Sequence, residues 1–505
     1  MGGEPLCGKR GEILNLEFLP EPELEFGGGG KHIDVRFGLM QFGPLDRGTP
    51  HPPSEIRVGI VGTSESIDGV RKWLERGKAP IPAKKSRLPN LFPDFPGFSC
   101  DSTFESQIEC DDRWCASIGK KEVEGIISSE DAGQLLETAV DFFVQLADQI
   151  LSKGGPSVII CAPPYELMTA LDYGQDRSKD ITEEEIDEGS ESTKHKRQES
   201  LPYFHDLLKA RAMRIAVPIQ MVRPHTYSSR KLKAMKGRVE FERSVQDEAT
   251  RAWNFHTALY YKAGGILWRL VRQSSELAAC FVGISFYRTL TGDRVLTSVA
   301  QVFNERGEGI IVKGGEAEPD KFDKSPHLSA DSARSLLANA VKVYRGEHKT
   351  SPARIVVHKT SKITEEEAAG FESAANDEKI EWLDLLSVRR SYTRLFREGT
   401  YPPLRGTLLQ LDDSKALLYL RGSVNFFQAY PGMYVPRPLE FSIESSEATQ
   451  LKLAQEIFSL SKLNWNNTQF DGGEPITVRA ARRVGDILKC IPDGGVFQHA
   501  YRYYM

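Results

Sequence analysis

Apolar residues along this chain switch repeatedly between two spacings. IRVGIVGT at 56–63 is a mainly apolar, β-branched stretch, the pattern of a strand, and SIDGVRKWLERG behind it has helical spacing with Thr63 or Ser64 as N-cap. The pair returns in reverse order as the amphipathic helix AGQLLETAVDFFVQLADQILSKGG and the strand PSVIICAPP at 156–164. LPYFHDLLKARAMRIAVPIQ at 201–220 adds a short helix and an apolar strand ending at Gln220. Such alternation predicts an α/β domain with a mainly parallel sheet. Residues 1–50, rich in Gly and Pro (FGGGGKH, FGPLDRGTPHPP), read as a non-regular lead-in.

After AWNFHTALYYKAGGILW the pattern changes. CFVGISFYRT (280–289), LTSVAQVFN (296–304) and GEGIIVKGG (307–315) follow one another with short turns and predict an antiparallel meander. Helix SADSARSLLANAVKVYRG, strand ARIVVHKT, helix TEEEAAGFESAA and strand IEWLDLLSV then alternate. A hairpin, TLLQLDDSKALLYLRG, turns at Asp412 and Asp413, and helices around TQLKLAQEIFSLSKL and VRAARRVGDILKCI come last. Three antiparallel strands followed by alternating helix and strand is the order of a ribonuclease-H-like domain.

The length of 505 residues, 40 % of them hydrophobic, implies more than one core. MGGEPLCGKRGE lacks the apolar run of a signal peptide, and no stretch approaches the roughly 18 apolar residues of a membrane span, so a soluble, cytoplasmic protein is expected. The seven cysteines (Cys7, Cys100, Cys110, Cys115, Cys161, Cys280, Cys490) hold no CxxC pair and argue against both a disulfide framework and a structural zinc site. Cys100, Cys110 and Cys115 form the one cluster, with a spacing that suits no familiar metal site. Net charge is −5, but charge is unevenly placed. Between His205 and Arg238, Lys209, Arg211, Arg214, Arg223, Arg230, Lys231, Lys233, Lys236 and Arg238 face one acidic residue, Asp206. Just upstream, 172–200 is acidic with almost no apolar content and reads as a surface insertion. A basic stripe inside a mildly acidic chain localises a field for a polyanion.

GIVGTSE at 59–65 fits neither GxGxxG nor GxxxxGK[ST] and reads as a strand-to-helix turn. No GxSxG elbow and no HExxH occurs. The sharper signal is His205 and Lys209, four apart on one helix face and able to reach a common point. A helix start adds free N–H groups and a positive dipole end, which together suit an anion. Gln220 and Lys262 would complete the ring if the fold brings YYKAGG back to it.

The order FGLMQFGPLDRG, YFHDLLKARAMRIAVPIQMV, ALYYKAGGILW, CFVGISFYR, RIVVHKTS and LSKLNWNNTQFDGGEPITVRAARRVGDILK resembles short prokaryotic Argonautes, which consist of MID and PIWI domains. The resemblance covers essentially the whole chain and is most specific over 201–268 and 459–489. It implies a lead-in at 1–50, a Rossmann-like MID domain at 51–265 carrying the insertion 172–200, and a ribonuclease-H-like PIWI domain at 266–505. It implies a pocket for a guide 5′-phosphate made by His205, Lys209, Gln220 and Lys262. It further implies that the C-terminal carboxylate of Met505, with Gln220, shares a magnesium ion with that phosphate, the apolar AYRYYM being a tail that docks there. The carboxylate positions of an active PIWI site fall on Ser285, Thr360 and Arg482; a serine supplies no formal charge and an arginine repels magnesium, so no slicing is expected even though Glu316 and Glu318 remain. Arg211, Arg223, Arg405, Lys462, Asn464, Asn466, Arg479 and Arg482 are candidates for nucleic-acid backbone contacts, a structural role standing open for each.

The function so implied is guide-directed recognition: a small 5′-phosphorylated guide RNA paired with target single-stranded DNA, in defence against plasmids or phage. Activity is expected in a bound partner protein with an APAZ domain and a TIR or sirtuin-like NAD-degrading effector, or a nuclease, acting by disabling the cell. A PIWI nuclease with displaced ligands and a small-molecule-binding protein built around GIVGTSE are the rivals.

Overall fold

A computed structural model describes residues 15–174, 201–228, 246–271, 279–303, 309–321, 324–398, 402–432 and 435–505. Most of the acidic insertion, and Arg230, Lys231, Lys233, Lys236 and Arg238 of the basic stripe, lie outside the described residues.

The apolar run at 56–63 forms the strand Glu55–Gly62, whose Ile56, Val58, Ile60 and Val61 are fully buried. It pairs in parallel with Val158–Ala162 on one edge and with Gln107–Glu109 and Cys115–Ser117 on the other; Ile219–Met221 joins beyond Val158–Ala162, again parallel. Helices Ser64–Lys78 and Ala132–Ser152 pack against this five-stranded sheet. Thr63 caps the first through Oγ1, 3.1 Å from Ser66 N. GIVGTSE is thus a capped turn, and a Cβ at Gly62 would meet Ala162 O at 2.6 Å, so the glycine lets two strands approach. The predicted strand IAVPIQMV is shorter than expected. Met213–Ile215 is a 3-10 turn and Ala216 is left-handed at φ 56°. Pro218 has no N–H to donate, and pairing begins only at Ile219, which leaves Gln220 in mid-strand.

The second sheet has nine strands in the order Asn15–Phe18, Thr407–Gln410, Lys415–Leu418, Leu439–Ser445, Trp382–Arg390, Arg354–Lys359, Ala279–Arg288, Val295–Phe303, Gly309–Val312. The predicted meander is the antiparallel trio at one end, and Ala279–Arg288 then runs parallel to Arg354–Lys359, which runs parallel to Trp382–Arg390. Side-chain alternation divides two cores. Cys280, Val282 and Ile284 pack with Leu336, Leu337 and Phe371 of the helices Ala330–His348 and Glu365–Asp377. Phe281 packs with Val478, Ala481 and Val484 of the helix Ile476–Leu488, in a core continuous with that of the first sheet. That helix lies so close that a Cβ on Gly283 would meet Thr477 O at 2.1 Å.

The lead-in departs from expectation. Asn15–Phe18 is the edge strand of the large sheet, Leu24–Glu25 pairs with Lys31–His32 on one side and Arg269–Leu270 on the other in a small sheet, and Val35–Phe42 is a helix capped by the buried Asp34. The glycine run that reads as loop is a 3-10 turn, Gly27–Gly29; a Cβ on Gly27 would meet Phe42 O at 2.5 Å, so close packing rather than looseness requires glycine there.

Candidate functional site

The helix Phe204–Ala212 and the helix Glu248–Lys262 aim two buried lysines at one strand. Lys209 Nζ donates to Ile219 O at 2.6 Å and to the main-chain oxygen of Met505; Lys262 Nζ donates to Gln220 Oε1. Each lysine is only 2 % exposed. Two ammonium groups therefore end on consecutive residues, 219 and 220, in a setting that excludes water. Burial pushes the Lys209 ammonium down to about 7; Cys161 and Asp206 pull it back up and Arg483 pushes with burial.

His205 does not share the point that Lys209 reaches, contrary to the helix-face expectation. Its ring is partly exposed and Nδ1 lies 2.9 Å from Asp206 Oδ1. Burial holds the imidazole below its ordinary value against the pull of Asp206, with Lys209 and Arg483 adding to the depression. Asp206 is held below the usual carboxylate range despite burial, by His205, Arg483 and Lys489.

Two further cations, both missed in the sequence, come from the last part of the chain. Arg483, on the helix Ile476–Leu488, acts electrostatically on His205, Asp206 and Lys209 together. Arg502 has a buried Nε with no hydrogen-bond partner among the described residues, and its Nη1 is 3.1 Å from where a Cβ on Gly264 would stand, against the turn that follows Lys262. The only hint in the sequence was the aromatic tail. That tail docks: Tyr501, Tyr504 and Met505 are buried, Tyr503 Oη donates to Ala216 O at 2.9 Å, and Gln498 Nε2 donates to Met213 O at 2.9 Å.

Magnesium was expected on Gln220 and Met505. The residues present do not fit it by themselves. A hard cation takes about six oxygens, whereas Gln220 Oε1 and the Met505 oxygen each already accept from a lysine ammonium.

The remaining candidate contacts divide. Arg211 is exposed and paired with Glu137 at 2.6 Å, and Arg223 stands at the N-cap of the short helix Pro224–Tyr227. Asn464 Nδ2 donates to Asn467 Oδ1 at 2.7 Å while its Oδ1 accepts from Asn466 N at 3.1 Å, so Asn464 shapes its own loop. Arg405 and Lys462 are corrected. Both are buried and converge on Glu21: Arg405 Nε is 3.0 Å and Lys462 Nζ 2.9 Å from Glu21 Oε1. Leu420 O and Ser461 Oγ accept further bonds from Arg405 and Ile33 O one from Lys462, so both cations are turned inward. Arg479 likewise donates inward, to Leu463 O at 2.7 Å. Arg482 is half-exposed and pairs at 2.7 Å with the buried Glu474, which also accepts from Arg390 at 3.1 Å.

Ser285 is buried at a bulge in Ala279–Arg288, and Thr360 N donates to Ile284 O at 3.1 Å, so the two stand side by side where Arg354–Lys359 ends and its pairing with Ala279–Arg288 stops. Glu316 pairs with Arg294 at 3.3 Å, and Glu318 belongs to a short ribbon with His327. Among the described residues no group of three or more His, Cys, Asp or Glu is arranged to hold a metal ion, and no helix is long and apolar enough to cross a membrane.

No protein-family model and no curated protein matches this chain. Solved structures do. The Argonaute of Clostridium butyricum, bound to a guide DNA and a 19-mer target DNA, superposes with TM-score 0.60 at 14 % identity over 95 % of this chain and 54 % of that one. Drosophila Piwi gives TM-score 0.55 at 14 % identity, covering 97 % of this chain and 56 % of its own. Aa-Ago with externally bound siRNA gives 0.54 at 15 %, covering 94 % and 53 %. The chain spans about half the length of each of these proteins. At such identity the likeness speaks for architecture, and the chain has an Argonaute-like fold.

Proposed function

We propose that this chain binds the 5′-phosphorylated end of a small guide strand at Lys209 and Lys262 and holds the guide for pairing with a target strand. One observation carries the reading: two buried ammonium groups end on adjacent residues of a single strand, beside Arg483 and Arg502. A buried cation pair is costly unless an anion joins it, and a terminal phosphate dianion supplies that charge with three acceptor oxygens. The neighbour from Clostridium butyricum was solved with guide and target DNA, which favours a nucleic acid as the bearer of the phosphate. Sequence would be read by base pairing, the protein holding backbone and shape.

On this reading the first sheet and its helices form a Rossmann-like MID domain. The strand order meander, Arg354–Lys359, Trp382–Arg390 forms a ribonuclease-H-like PIWI domain. With Ser, Thr and Arg at the carboxylate positions, the chain recognises without cutting. A guide RNA, a single-stranded DNA target and an APAZ-domain partner bearing an NAD-degrading or nuclease effector follow from the resemblance to short Argonautes. Target pairing would shift the population of the complex towards its active state.

The test is the nucleic acid that travels with the purified protein. Short strands whose 5′ ends accept label only after phosphatase treatment are expected, and Lys209→Met with Lys262→Met should yield none. Strands with free 5′-hydroxyls, or equal yield from the double variant, would contradict the assignment.

A further inference from the structure

The cysteine cluster seen in the sequence has no place in guide binding, yet the fold builds a site from it. Cys110 follows the strand Gln107–Glu109 and Cys115 opens the strand Cys115–Ser117, and both strands hang on the same edge of Glu55–Gly62. The 3-10 turn Asp112–Trp114 folds the chain back between them, anchored by the buried Trp114, whose Nε1 donates to Gly154 O at 2.8 Å. The two sulfurs come to 4.0 Å. Arg71, from the helix Ser64–Lys78, places Nη2 3.2 Å from Cys115 Sγ and is itself held by Asp112. Both thiols are reachable. Cys110 lines a cavity of about 520 Å³ and Cys115 an adjoining one of about 210 Å³, with Arg71 and Asp112 in the wall of each.

The chemistry differs from that of the other described thiols. The bond from Cys110, then Arg71, lowers Cys115 to about 7 against burial and against Asp112; Cys110 is pushed up by that same bond and by burial. Cys161 and Cys490 are pushed up to about 12 by burial and Cys280 is pushed up likewise, while Cys100 is exposed, with its sulfur on Gln107. A thiolate beside a guanidinium, with a protonated second thiol in reach, is the arrangement that reacts with oxidants and then resolves.

We propose that Cys110 and Cys115 are a reversible redox pair in which Cys115 is the thiol that reacts with hydrogen peroxide and Cys110 the thiol that resolves it. The Cys115 thiolate attacks one peroxide oxygen, the O–O bond breaks, and the departing hydroxide takes a proton to leave as water. Cys115 becomes a sulfenic acid, oxidised by two electrons while the peroxide is reduced by two. Cys110 then attacks the Cys115 sulfur, the S–O bond breaks, a second water leaves, and a disulfide remains. The sulfurs need close only from 4.0 Å to roughly 2.05 Å. Oxidation draws Cys115 off Arg71. A small dithiol reductant restores both thiols and is itself left as a disulfide.

The experiment treats the whole protein with a small excess of hydrogen peroxide, quenches by alkylation and maps the peptides. An intrachain Cys110–Cys115 disulfide is expected, reversed by dithiol. Cys110→Ser should leave Cys115 as a sulfenic acid that dimedone labels; Cys115→Ser should leave Cys110 reduced. Without peroxide, Cys115 should alkylate at pH 7 about tenfold faster than the exposed Cys100, as its larger thiolate fraction requires. Wild-type protein in which peroxide forms no such disulfide, or in which Cys115 alkylates no faster than Cys100, would overturn the proposal.

Discussion

Replacing Glu21 tests whether Arg405 and Lys462 are structural. Glu21 accepts from Arg405 Nε at 3.0 and 3.2 Å and from Lys462 Nζ at 2.9 Å, and both cations are 2 % exposed. Burial raises the Glu21 pKa, but Arg405 and Lys462 outweigh it and hold the carboxyl below its usual value. Glu21→Gln keeps the shape and one acceptor oxygen while removing the charge that compensates two buried cations. Breaking a buried pair in this way costs about 3–5 kcal/mol. The lower end is expected here, because Arg405 retains Leu420 O and Ser461 Oγ and lies 4.5 Å over the Phe458 ring, while Lys462 retains Ile33 O and lies 4.0 Å over Phe470. At roughly 2–4 °C per kcal/mol for a unit of 150–250 residues, Tm should drop by roughly 6–12 °C in a thermal melt. Affinity for a short RNA, measured well below Tm, should not move. A variant that melts within a degree of wild type, or one that keeps its Tm and loses RNA affinity, would refute the reasoning by showing that the two cations serve a ligand.

The depressed Lys209 gives a pH signature. Burial holds the Lys209 ammonium down at about 7, so binding a phosphate above that pH must take up a proton. The 5′-phosphate preference should fall up to about tenfold per pH unit above 7, and a flat profile from pH 6.5 to 9 would count against it. By the same linkage the unliganded fold gains stability as pH rises from about 7 towards the ordinary lysine range, because the unfolded chain still holds the proton the fold has released. Chelation is a second test: with both oxygen donors already facing ammonium groups, EDTA should change guide affinity by less than about threefold, and a tenfold loss would restore magnesium to the pocket. Ser285→Asp alone should give no cleavage with magnesium or manganese, since Thr360 and Arg482 stay in place; slicing by that variant would mean the metal site is misplaced.

The fold was legible where burial leaves a clear period. Val58–Gly62 and Val158–Ala162 are apolar because both their faces are covered, and the meander shows its turns. The lead-in was not legible, since glycines needed for close approach to Phe42 look the same in sequence as glycines of a loop. The strand before Gln220 was overdrawn because apolar content concealed the left-handed Ala216 and the missing donor of Pro218. Within the pocket, Lys209, Gln220 and Lys262 stand near one another on elements whose order the sequence gives away. Arg483 and Arg502 arrive only when the last helix and the tail dock, a closure no local pattern records. Arg405 and Lys462 read as candidate nucleic-acid contacts because their partner, Glu21, lies 384 and 441 residues away along the chain.

The affinity of the protein for one short RNA carrying either a 5′-phosphate or a 5′-hydroxyl tests the central claim most directly. Charge-assisted contacts to one buried phosphate are worth roughly 1.5–3 kcal/mol each, so a preference of about a hundredfold for the phosphate, roughly 2.7 kcal/mol, is predicted at pH 7. It should vanish in the protein carrying Lys209→Met and Lys262→Met. Equal binding of the two RNAs by the wild-type protein would contradict the pocket and, with it, the guide-binding function.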